Sequence, residues 1–122
     1  MKISRYPVAI AEAAQAVNAL EQRLTELRLE LARQEGKADL VVAFEAGLKN
    51  DNQRKARRFE LLDQDAEYQR LQQLQAQAIT DKSNAIAQLE YLRNQFGVAK
   101  LEVRWAIAEK LVGLETRELV GL

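Results

Sequence analysis

Cysteine and histidine are both absent from this chain of 122 residues. Without thiols there can be no disulfide, no thiolate zinc site and no thiol nucleophile. Without imidazole the commonest general base and the commonest transition-metal ligand are gone as well. Proline occurs once, as Pro7, and the five glycines are scattered, so no glycine-rich phosphate loop can be assembled. Aromatic residues make up 6% and β-branched runs are few, which leaves little to build a sheet from. No apolar run approaches the length of a membrane span, and the basic N-terminal stretch MKISRYPVAIAEAAQAV is interrupted by Glu12 and Gln15 before a signal-peptide core can form. The expectation is a soluble cytoplasmic protein that is not an enzyme, with no cofactor, no metal, no membrane and no small-molecule substrate.

What is present favours helix. Ala, Leu, Glu, Gln, Lys and Arg dominate, and 48% of the residues are hydrophobic, enough for an ordered core. With Ile3 at position a, a heptad register runs through Ile10, Val17, Leu24 and Leu31, with Tyr6, Ala13, Leu20, Leu27 and Gln34 at d. A 3.5-residue repeat of that length predicts a coiled-coil seam. The flanking e and g positions change from Ala14 and Ala16 to Glu21, Arg23, Arg28 and Glu30, charges able to select a partner. Pro7 suits a first helical turn, and Gly36 stands where a glycine would end the helix. Leu40, Val41, Val42 and Phe44 then form a β-leaning run, read as irregular or short strand, although Asp39 could cap a short helix there instead.

Asn50 followed by Gln53 fits a capping box and starts a helix near Asp51. Ala56, Phe59 and Leu62 are expected to face inward, opposite Arg54, Arg57 and Arg58. Asp65 is a candidate N-cap, with a bend near residues 63–65. Beyond it, Tyr68, Leu71, Leu74, Ala78, Ala85, Leu89, Leu92 and Phe96 hold helical spacing. The step between Ala78 and Ala85 reads as a stutter, with Ile79 and Ile86 covering it. Gly97 is a possible break. After it, Val98, Leu101, Trp105, Ala108 and Val112 make one stripe and Val103, Ile107, Leu111 and Leu114 a second. Together they span over half the wheel, so burial against the first arm and a second chain is expected. LEVRWAI also alternates like a strand, but length and the AIAEKL composition favour helix.

The expected architecture is therefore all-α: one helical domain over residues 1–122, an elongated antiparallel helical hairpin of coiled-coil type. Its first arm spans 3–35, a broken connector 36–65, and a second arm with a C-terminal segment 66–120. It is expected to form a dimer or higher homo-oligomer through Leu24, Leu27, Leu31, Leu101, Trp105, Ala108 and Val112.

Formal charge is zero, yet residues 49–58 carry five cations and one anion, a local +4. Lys49, Arg54, Lys55, Arg57 and Arg58 are the candidate nucleic-acid contacts, with Phe59 and Tyr68 as stacking platforms. The competing reading pairs these cations with the acidic 60–67 block or with the e and g glutamates, as charge runs usually are. Asp63, Asp65 and Glu67 are the only dense carboxylates, and their alternation at a helix start points to capping and not to a metal or acid–base site.

Three features, Leu48-Lys49-Asn50 with Arg54, Asp65-x-x-Tyr68-x-x-Leu71 and the Leu-Glu-Tyr-Leu-Arg segment at 89–93, resemble a group of small phage- and prophage-encoded helical proteins. The resemblance spans roughly residues 48–105 and contains no catalytic signature. It implies a helical coiled-coil protein of a group whose genes can lie near phage recombination or replication genes. The function expected is a non-catalytic oligomeric adaptor or structural protein, with an accessory nucleic-acid binder as the alternative.

Overall fold

The computed structural model describes the backbone of residues 1–121 and the side chains of residues 1–114. The described residues are all-helical. A short 3-10 turn, Ile3–Arg5, leads into α1 (Tyr6–Phe44), followed by α2 (Asp51–Asp63) and α3 (Ala66–Gly121). Pro7 lies in the first turn of α1, where its missing N–H has no helical carbonyl to reach. Among the described residues no helix is long and apolar enough to cross a membrane.

Two of the expected breaks are absent. α1 runs straight through Gly36, and α3 through Gly97. A glycine inside a helix costs only about 1 kcal/mol. Around Gly36 that cost is outweighed, because the buried face continues through Leu31, Ala38 and Val42. The segment 39–44 is accordingly helix, not irregular chain or strand. A Cβ added at either glycine would meet nothing within 4 Å. Gly36→Ala and Gly97→Ala are each expected to stabilise the fold by about 0.5–1 kcal/mol, read as a higher denaturation midpoint in urea.

The chain divides into two compact units, Val17–Asn84 and Met1–Ala16 with Ala85–Leu122. In the first, Leu24, Leu27 and Leu31 of α1 pack with Leu71 and Ala78 of α3, and Tyr68 and Leu74 close over them. Two polar contacts fix the direction of packing. Tyr68 reaches Glu35, and Lys82 reaches Glu21 at 3.3 Å. Rising numbers on one helix meet falling numbers on the other, so the two segments run antiparallel. Glu21 is one of the e-position charges, and the partner it finds is in its own chain.

The stutter is also absent. Side chains at 68, 71, 75, 78, 82, 85, 89, 92, 96 and 99 are all buried or half-buried, an unbroken alternation of three and four. Gln75 and Lys82 occupy seam positions, and Lys82 extends its ammonium to Glu21. A lysine at such a position sacrifices stability and fixes register. Ile79 and Ile86, expected to cover the slip, are exposed.

In the second unit Leu89 and Leu92 are buried, and Tyr6 stacks on Phe96 with ring centroids 5.5 Å apart. The ammonium of Lys100 lies 4.5 Å from the centroid of the Phe96 ring. Ala99 is the last half-buried residue of the helix among the described side chains. From Leu101 to Leu114 every side chain is exposed.

Candidate functional site

The connector is built by its caps. α1 ends at Phe44, and Gly47, with φ +93°, turns the chain in a conformation that a side chain would strain. The Asn50 side chain accepts from the Gln53 amide at 2.9 Å, as a capping box requires. The reciprocal bond is displaced by one residue, because the amide of Lys49, not that of Asn50, donates to Gln53 Oε1. At the far end Asp65 Oδ1 accepts from the amides of Glu67 and Tyr68, so the bend lies at Gln64-Asp65 as the sequence predicts. Of the three carboxylates expected to cap, one accepts the capping bonds. Asp65 is the cap, Glu67 pairs with Arg70, and no group of residues able to hold a metal ion occurs among the described residues.

The basic cluster is largely neutralised. Arg54 meets Asp51 at 3.0 Å, Arg57 is gripped by Glu45 at 2.8 Å and Glu60 at 3.2 Å, and Arg58 meets Asp39 at 2.7 Å. Hydrogen bonding to Glu45 and then Glu60 holds Arg57 still more firmly protonated, and Asp39 does the same for Arg58. Five cations facing Asp39, Glu45, Asp51 and Glu60 leave a local excess of +1, carried by the exposed Lys49 and Lys55. The decisive partners, Asp39 and Glu45, lie at and just beyond the end of α1, not in the acidic 60–67 block. They became available because the helix did not stop at Gly36.

Phe59 does not face inward. It is 70% exposed, whereas Leu62 beside it is buried. Phe59 lines an open groove of about 350 Å³ with Lys55, Arg58, Leu62, Asp63 and Tyr68. The Tyr68 hydroxyl donates to Glu35 Oε1 at 2.9 Å, and burial together with that carboxylate raises the phenol above its usual range. Because the folded pKa exceeds the unfolded value, the neutral phenol supports folding fully below pH about 10. That support is lost as pH rises through the folded value. Difference absorbance is expected to show Tyr68 ionising late, a phase that Tyr68→Phe should remove.

The second candidate surface is the C-terminal part of α3. Trp105 is 69% exposed and Leu101 63%, with Ala108 and Val112 exposed on the same stripe. Val103, Ile107, Leu111 and Leu114, the second stripe, are exposed as well. The indole N–H of Trp105 donates to Glu109 Oε1 at 2.7 Å within the same helix. Leu24, Leu27 and Leu31, the other residues expected at an oligomer interface, are instead buried within the chain, so their apolar surface is already covered. The proposed interface residues are thus not one surface but an internal core and an exposed segment.

No protein-family model, curated protein or solved structure matches this chain.

Proposed function

We propose that this is a non-catalytic helical adaptor or structural protein, an antiparallel hairpin of coiled-coil type that self-associates through the C-terminal part of α3. One observation carries the reading: eight large apolar side chains between Val98 and Leu114 are exposed. Singly scattered apolar residues are normal on a surface, but a concentration of this kind on one helix marks an interaction site. A helix apolar over more than half its circumference is stable in water when neighbours cover it. Within the unit Val17–Asn84 the seam between Leu24–Leu31 and Leu71–Ala78 is already closed inside the chain, and among the described residues no carboxylates group as a metal site would need. The phage-type resemblance fits a small assembly component. Light scattering at micromolar concentration tests the reading. The expected mass is a multiple of 13.8 kDa, and a stable monomer would end it.

The exposed Phe59 beside Lys55 and Arg58 favours a second reading, an accessory nucleic-acid binder. A base could stack on the ring while the amine meets a phosphate. Exposed ion pairs are each worth under about 1 kcal/mol, so phosphate could compete for the arginines. A gel-shift titration at two salt concentrations decides. No shift at low salt, or an unchanged shift in Lys55→Ala/Phe59→Ala, removes this reading.

A further inference from the structure

We infer that the exposed segment of α3 takes a second copy of its own chain, parallel and in register, with Arg104 of each copy set against Glu109 of the other. The inference rests on the oligomeric reading above and gives it an orientation. Val98, Leu101, Trp105 and Ala108 recur at intervals of three and four, as a and d positions of a seam. On that register Glu102 and Glu109 occupy the e flank and Arg104 the g flank.

Those flanks distinguish the two ways of pairing. In a parallel pair the g position of one helix faces the e position five residues further along the other, so Arg104 meets Glu109 twice across the two-fold. In an antiparallel pair e faces e and g faces g. Glutamates would then oppose glutamates and Arg104 would oppose its own copy, like charges that penalise the arrangement. Both groups are prepared for the parallel contact. Arg104 makes no ion pair with any described residue, in contrast to Arg54, Arg57, Arg58 and Arg70, each of which is held by a carboxylate. Glu109 uses Oε1 for the Trp105 indole, and no described group engages its Oε2.

The same hydrogen bond makes Trp105 suitable for the centre of an interface. A buried indole needs an acceptor for its N–H. Trp105 carries its acceptor on its own helix, one turn on, so the ring can be covered by a second copy without stranding a donor. Large aromatic side chains placed this way supply most of the binding free energy at protein interfaces.

The absence of native cysteine makes the orientation directly measurable. In a parallel seam each d residue faces its own copy, whereas in an antiparallel seam d faces a. Under mild oxidation Ala108→Cys and Leu101→Cys are each expected to convert most of the chain to a covalent pair on a non-reducing gel. Val98→Cys mixed with a mass-tagged Ala108→Cys is expected to give no mixed product. Ten residues along a helix are about 15 Å apart, beyond the roughly 7 Å that a disulfide spans between Cα atoms. Light scattering of the same reduced samples accompanies the gel. A monomeric mass ends the oligomeric reading itself. An oligomer that yields the mixed 98–108 product, or yields no link at all, overturns the parallel seam and leaves the oligomeric reading standing.

Discussion

Leu27→Ala is expected to lower the unfolding free energy by about 3–5 kcal/mol. Leu27 has no exposed surface, and it lies among Leu24, Leu31, Leu71 and Ala78 where two helices meet. Truncation removes the transfer free energy of three carbons and leaves a void that paired helices close only in part. Leu29→Ala, two residues away and exposed, is the matched control and should change stability by about 0.5 kcal/mol or less. Both are best measured by urea denaturation in a background that does not self-associate, because association would add a concentration-dependent contribution.

Leu101→Glu/Trp105→Glu supplies that background and is the second large effect. Association is expected to weaken by at least about 100-fold, the factor that about 3 kcal/mol represents. The double change removes the aromatic anchor and sets carboxylates against carboxylates across any pairing of this stripe. Both side chains are exposed within the chain, so helix content by circular dichroism should stay unchanged. Ile79→Glu, an equally simple charge introduced at a half-exposed position of the same helix, should leave the mass in solution as it was. Loss of helix in the double variant would mean that the segment supports the fold in a way its exposure does not indicate.

Much of the helical architecture was legible because it is local. The caps at Asn50 and Asp65 depend on side chains within three residues of the amides they satisfy, and both formed. The seam through Val17, Leu24, Leu27 and Leu31 follows from spacing alone. Gly36 and Gly97 were misleading because glycine lowers helix propensity without forbidding helix, and the flanking buried face outweighed it at Gly36. Lys82 hid the continuity of the α3 seam, since a charged residue at a core position looks like an interruption until its partner Glu21 is known. The basic patch was the least legible feature. Its charge lies within ten residues, but two of the carboxylates that neutralise it, Asp39 and Glu45, are nineteen and twelve positions from the arginines they hold. Phe59 escaped for a related reason: a wheel separates polar from apolar faces but does not say where a neighbouring helix ends.

The central claim, that the C-terminal part of α3 is an interface, can be read from the protein's single tryptophan. Trp105 sits in the middle of that segment, and its emission reports whether the ring is in water. Followed by dilution from the high micromolar to the nanomolar range, the emission maximum is expected to move from a buried, blue-shifted value to that of a solvated indole, with a midpoint that Leu101→Glu shifts to higher concentration. A fully solvated emission at every concentration would contradict the account.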